Sequence, residues 1–251
     1  MRIPDMLRFE NKTAIVTGSS GGIGIAICKR LASEGARIVM ADRSDDKAAA
    51  LIDEIKAAGA PDVMVSKCDV AFDDQVAATF KDSLDRFGGV DVVVNNAGLM
   101  EFKAIQDLTG DDWLRILGVD LLGAFYFTKH AFLNMKPGGA VVNIASIHAL
   151  QTEALAAPYA AAKAAVLSFT RTSSIEGKAK GIRSNAILPG AIDTPMLWDN
   201  PNVKSGVEKI DKTEVGQPED IANAVAFLAS SDAAFVNGVS LNVDGGRLAK
   251  L

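Results

Sequence analysis

Residues 13–31 read "TAIVTGSSGGIGIAICKRL". A short β-branched run (13–17) passes into a glycine-rich turn, and a helical pattern begins near residue 22. The run is continuously apolar rather than alternating, which is how a strand covered on both faces reads. Gly18, Gly22 and Gly24 follow T-G-x-x-x-G-x-G. A tight turn needs a residue tolerant of positive φ, and a missing side chain lets a ligand approach the backbone. The helix start then offers unpaired N–H groups and the positive end of a dipole. Alone, such a turn is also read as a plain turn. Its place between a strand and a helix favours a pyrophosphate cradle, with Ser20 and Ile23 inside it. Asp42 closes the second strand candidate 18 residues after Gly24. That spacing suits a carboxylate accepting from ribose hydroxyls. It would also repel a 2′-phosphate, while Arg43 beside it softens that preference. NAD is therefore expected over NADP.

Working outward, further strand candidates are 36–41, 62–66, 90–95, 139–146, 181–188 and 238–243. Helical patterns occupy 22–34, 45–58, 73–87, 110–135, 158–179 and 218–230. Thr109 or Asp111 suits the start of the long helix, and Pro218 with Glu219 and Asp220 suits the first turn of the last. Alternation of this kind predicts an α/β fold, a mainly parallel sheet with helices on both faces and right-handed crossovers. There is no linker or repeat, so a single domain over 1–251 is expected. The irregular stretch 189–217 is too long for an ordinary connection and reads as a substrate loop or lid.

Composition sets the outer limits. The 251 residues are 49% apolar and carry a net charge of −5 with the signs interspersed. Nucleic acid and anionic membrane surfaces are thus not expected as partners. The first stretch, "MRIPDMLRFENK", has no apolar run of the signal-peptide kind, and no 18 consecutive residues are apolar, so a cytoplasmic protein is expected. Cys28 and Cys68 lack the spacing of a redox pair or metal knuckle and read as buried thiols; no metal site is expected.

Residues 146–163, "SIHALQTEALAAPYAAAK", hold one of only two tyrosines and one of only two histidines. Tyr159 and Lys163 stand at i, i+4, on one helix face. A free phenol, with pKa about 10, gives up its proton reluctantly at neutral pH, and a neighbouring ammonium favours the phenolate. Tyr159 can then act as general base on an alcohol or general acid on a ketone. Ser146, at a strand end, is placed to hold the substrate oxygen.

With these residues in view, the chain resembles the short-chain dehydrogenase/reductase family along nearly its whole length. The resemblance rests on "TGSSGGIG" (17–24), "CDV" (68–70), "NNAG" (95–98), Ser146, "YAAAK" (159–163), "PGAIDTPM" (189–196) and "NVDGG" (242–246). It implies a Rossmann-like, doubly wound, seven-stranded sheet of order 3-2-1-4-5-6-7. It implies NAD(P)-dependent interconversion of a secondary alcohol and a carbonyl. Asp69 and Val70 are then expected near the adenine, and Asn95, Asn96, Ala97 and Gly98 along the cofactor. Pro189, Gly190, Ile192 and Thr194 are expected at the nicotinamide, with Tyr159 and Lys163 also touching the cofactor. A homotetramer paired through 110–135 and 158–179 is also implied.

One position departs from the pattern. The family usually carries an Asn in the helix after strand four, completing a proton relay; here it is Asp120. Ionised Asp only accepts hydrogen bonds. Three readings stay open: Asp120 accepts from a water, Asp120 is protonated by burial, or the protein is a weakened enzyme or binding protein on an enzyme scaffold. His148 after Ser146 is similar to what bacterial glucose dehydrogenases of the family show, and Glu101 lies near the position of their Glu. His148, Glu101, Gln151, Glu153 and Trp198 are therefore candidates for a polyhydroxylated substrate, a sugar or polyol. A 3-oxoacyl thioester reductase is the runner-up. His130 is expected at a packing edge or subunit contact.

Overall fold

The computed structural model describes residues 7–250; part of the N-terminal stretch read above for a leader lies outside the described residues. Its strands are β1 (Thr13–Thr17), β2 (Arg37–Asp42), β3 (Val63–Lys67), β4 (Val92–Asn95), β5 (Ala140–Ile144), β6 (Arg183–Pro189) and β7 (Ser240–Val243). They form a seven-stranded sheet of order β3-β2-β1-β4-β5-β6-β7. All six pairings are parallel, so the sheet is parallel throughout rather than mainly so.

Alternation along each strand sorts the core. Ala14 and Val16 of β1, with Ile38 and Met40 of β2, pack with Ile27 and Leu31 of α1 (Gly22–Ser33). Ile221 and Val225 of α10 (Pro218–Ala229) complete that face. Ile15 and Val39 point the other way, to Phe80 of α4 (Asp73–Phe87) and Phe127 of α6 (Gly123–Asn134). Each such side chain taken from water contributes about 1.5–3 kcal/mol. Both faces are covered, as the continuous apolar runs require.

Two expected helices are broken. The pattern over 45–58 divides into α2 (Asp45–Ala49) and α3 (Ile52–Ala57), because Ala50 and Leu51 form a turn between them. The pattern over 110–135 is α5 (Gly110–Leu117), a π-helical turn (Gly118–Leu122) and α6. Thr109, not Asp111, caps α5, accepting from the N–H of Asp112 at 3.2 Å while Asp112 accepts from the N–H of Thr109 at 2.7 Å. By length and a mean hydropathy of 1.2, Gly110–Asn134 could cross a membrane. It carries the buried Asp120 and packs its Phe127 and Ala131 into the core instead. The stretch 189–217 holds two short helices, α8 (Pro195–Trp198) and α9 (Pro201–Lys204), and a bridge from Ile192 to Gly216. The remaining long helix is α7 (Ala157–Lys178).

Strand order reverses between β1 and β4, so the connections leaving their carboxyl ends run apart. A crevice opens there, where ligands of open α/β sheets bind.

Candidate active site

The glycine turn follows from local sterics. Gly18 has φ +59°, and a Cβ on it would lie 2.9 Å from Cα of Ala97. A Cβ on Gly24 would lie 2.1 Å from O of Gly18, and one on Gly22 would lie 3.0 Å from the Thr194 methyl. Helix α1 is preceded by Gly21, which offers no side-chain cap, and has no acid in its first turn. Its leading N–H groups and dipole are thus left for an anion. Asn96 stitches the cradle to β1, its Nδ2 donating to O of Thr17 at 2.9 Å and O of Gly18 at 3.1 Å. Asp42, at the end of β2, accepts from the N–H and hydroxyl of Ser20, both at 2.9 Å, and from the N–H of Ser44 at 3.0 Å. Oδ2 takes both bonds from Ser20, while Oδ1 accepts only from Ser44 and keeps a further lone pair for a ribose hydroxyl. These residues fit a dinucleotide.

The cradle opens into a cleft of about 460 Å³ that runs on to Ser146, Tyr159 and Lys163. Ser146 follows β5 with an extended backbone, and its Oγ accepts from the N–H of His148 at 3.2 Å. Tyr159 stands in the first turn of α7, with the Ser146 hydroxyl close enough to favour its phenolate. Lys163, one turn on, donates from Nζ to O of Ile144 at 3.1 Å, fastening α7 to the end of β5. Its Nζ lies 5.5 Å from the centre of the Tyr159 ring.

Asp120 is brought to this cluster by the π-helical turn. Its Oδ1 accepts from the N–H of Leu99 at 2.9 Å. Its Oδ2 approaches Lys163 Nζ at 3.1 Å, an ion pair without a well-aligned hydrogen bond. Lys163 is 4% and Asp120 2% exposed, so water hardly screens the pair. Gly98 passes just above them; a Cβ there would lie 3.1 Å from Asp120 Oδ2 and 3.2 Å from Lys163 Nζ.

Electrostatics in the cluster differ from the simple expectation. Burial pushes the Tyr159 phenol up; Lys163 and Ser146 pull it down, Asp120 adds to the rise, and the balance lies above the ordinary value. Burial alone would lower Lys163, but Asp120 and Tyr159 outweigh it and hold the ammonium. Burial lowers His148, which keeps it neutral at pH 7.

Most of the expected residues meet in one place. Gly18, Ser20, Gly22, Ile23, Gly24, Asp42, Asn96, Ala97, Gly98, Pro189, Gly190, Ile192, Thr194 and His148 line the cleft with Ser146, Tyr159 and Lys163. Others do not. Asn95 is buried in the sheet, donating to Asn143 Oδ1 at 2.7 Å, because strand alternation turns it away from the cleft. Arg43 is exposed beyond the lining. Asp69 caps its own turn, accepting from the N–H of Ala71 at 3.1 Å, and Val70 packs under Gly123. Glu101 is drawn off by an ion pair with Arg115, and the Trp198 indole donates to Asp193 at 2.7 Å. Neither lines the cleft. Gln151 and Glu153 lie in an adjoining chamber. His130 pairs with Asp73 at 2.9 Å against the Phe80 ring, a packing edge. Met100, Met196, Leu197 and Asn200 line the cleft unforeseen. Met196, Leu197 and Asn200 fall within the 189–217 stretch read as a substrate loop, whereas Met100 carried no signal.

A family model described as Enoyl-(Acyl carrier protein) reductase matches residues 18–247. The chain is similar to 3beta-hydroxysteroid dehydrogenase 1 of Eggerthella lenta, 38% identical over 94% of each chain. It is 35% identical, over 97% of each chain, to the meso-2,3-butanediol dehydrogenase of Serratia marcescens. Among solved structures, a short chain dehydrogenase from Burkholderia cenocepacia J2315 in complex with NADP superposes with TM-score 0.87 at 32% identity. That match covers 95% of this chain and 98% of the other.

Proposed function

The chain belongs to the short-chain dehydrogenase/reductase family of nicotinamide-dependent oxidoreductases, and from that premise we propose that it oxidises a secondary alcohol of a sugar or polyol with NAD, Tyr159 taking the proton. One observation carries this reading: Ser146, Tyr159 and Lys163 close the far end of the same cleft that begins at the glycine cradle. When bound, the oxidised nicotinamide supplies the hydride acceptor. The protein does the rest. Ser146 and Tyr159 hold the carbinol oxygen, and Tyr159 removes its proton as the carbonyl forms. Lys163 and Asp120 set how readily the phenol releases it. Pro195, Met196 and Leu197 of the loop shield the reacting carbon from water.

The buried Asp42 supports NAD over NADP, since a 2′-phosphate beside it would set like charges together in a poorly hydrated site. The same charge speaks against the acyl thioester reductase with NADPH. Buried free thiols at Cys28 and Cys68 suit a reducing cytoplasm. Exposed Leu114, Phe125 and Leu133 on α5 and α6, with Ile175 on α7, support a homotetramer paired through 110–135 and 158–179.

The test is NAD and NADP reduction across aldoses, polyols and simple secondary alcohols, with Tyr159→Phe as control. Turnover should fall by about 10²–10⁴-fold in the variant while NAD still binds. Retained turnover in Tyr159→Phe would remove the tyrosine from the reaction.

A further inference from the structure

Beyond His148 the reaction cleft does not end. Four of its lining residues, His148, Gly190, Leu197 and Asn200, also wall a second chamber of about 440 Å³. The polar part of the remaining wall is Gln151, Thr152, Glu153, Glu208 and Arg247.

Three separate stretches meet there. Glu153 precedes α7, Glu208 follows α9, and Arg247 opens the last helical turn, Arg247–Lys250. Asn200, 5% exposed, links them, its Nδ2 donating to Glu153 Oε1 at 2.8 Å and reaching Glu208 Oε2 at 3.4 Å. Arg247 pairs with Glu208, and burial together with the neighbouring Glu153 carboxylate pushes the Glu208 carboxyl up. His148 stands at the junction, its ring 5.7 Å from that of Tyr159 and its Nδ1 2.9 Å from Thr152 Oγ1.

The chemistry of this wall selects its occupant. An apolar ring system would strip water from the charges and return no hydrogen bonds. A carboxylate or phosphate would face two carboxylates and a guanidinium that is already paired. Hydroxyls fit both signs, donating to Glu153 and Glu208 and accepting from Arg247 and Gln151.

We infer that this chamber is a polyol subsite, which receives the far hydroxyls of a substrate whose reacting carbinol lies at Tyr159 and Ser146. The inference rests on the sugar-or-polyol reading above and deepens it by giving the hydroxyls beyond the reacting carbon a place of their own. Short diols, hydroxysteroids and acyl thioesters offer no run of hydroxyls to the chamber's polar groups.

The experiment compares ribitol with butane-2,3-diol as substrates, with NAD, for the wild type, Glu208→Gln, Arg247→Met and Gln151→Leu. Gln151 is exposed, so its substitution leaves folding out of question. The wild type should favour ribitol. The ratio of kcat/KM for ribitol to that for the diol should fall about tenfold in Glu208→Gln and Arg247→Met. It should fall in the same direction in Gln151→Leu. Equal losses on both substrates, or a wild type preferring the diol, overturns the inference. Calorimetric titration of ribitol into the NAD-loaded protein reads the chamber apart from turnover. Ribitol binding that weakens in Arg247→Met, with no turnover of either substrate, upholds the chamber and overturns the hydride-transfer reading. Diol turnover with no ribitol binding does the reverse. Absence of both overturns both.

Discussion

At the scale of single residues, Asp120 sets this protein apart. A carboxylate 3.1 Å from Lys163, in a site with almost no water, has two opposed effects. It holds the ammonium charged, and it pushes the phenol of Tyr159 up by like-charge repulsion. Asp120→Asn removes the second effect while an amide oxygen can still accept from the N–H of Leu99. The phenolate then forms more readily. With Tyr159 as the proposed base, alcohol oxidation needs its phenolate, so the rate should rise with pH through the apparent pKa. The acid limb of kcat/KM for oxidation should therefore move to lower pH by about one unit. An unmoved limb in a pH–rate series would show that Asp120 only supports the fold.

At the scale of elements, the cradle depends on how closely α1 approaches the turn before it. Gly24 lies under the Gly18 carbonyl, and a methyl there has only backbone to displace. Gly24→Ala should cost about 1–3 kcal/mol in urea unfolding through overpacking. It should also weaken nicotinamide-dinucleotide binding at least tenfold in fluorescence titration, because the first N–H groups of α1, which suit an anion, are displaced. Full stability with lost binding would mean that the turn adapts and only the ligand feels the methyl. The π-helical turn Gly118–Leu122 is the second element that makes the site. Such turns insert a residue into a helix and are frequent at functional sites. Here the turn faces Asp120 into the Lys163 cluster, which an unbroken α-helical phase across 110–135 did not anticipate.

At the scale of the whole molecule, both faces of the sheet are sealed, and the thiols report on the seal. Cys28 and Cys68 are 0% and 1% exposed. Burial pushes Cys68 up to about 11 and Cys28 higher still. The thiolate is the reactive form, so neither thiol should react with an aromatic disulfide reagent at pH 8 in the native state. Both should react once urea unfolds the chain, and slow native labelling should follow the unfolding rate. Fast labelling of one thiol would locate an opening in the layer that covers it.

Much of this was legible in the linear pattern, for reasons that are local. Doubly covered strands need continuous apolar runs, a phosphate cradle needs glycines where a Cβ has no room, and a tyrosine and lysine one turn apart share a helix face. Order along the chain then carried the sheet, the cradle and Ser146, Tyr159 and Lys163. What the sequence could not decide depends on which distant charges meet. Glu101 was free to line the cleft until the fold set Arg115 beside it. Asp120 departs from the family pattern at one position, and the π-helical turn sets its carboxyl 3.1 Å from Lys163. Glu208 and Arg247, 39 residues apart, carry no motif, and only the packing of three loops makes them one wall. Backbone geometry follows from near neighbours, whereas the pairing of buried charges follows from tertiary contact, and tertiary contact determined which residues line the cleft.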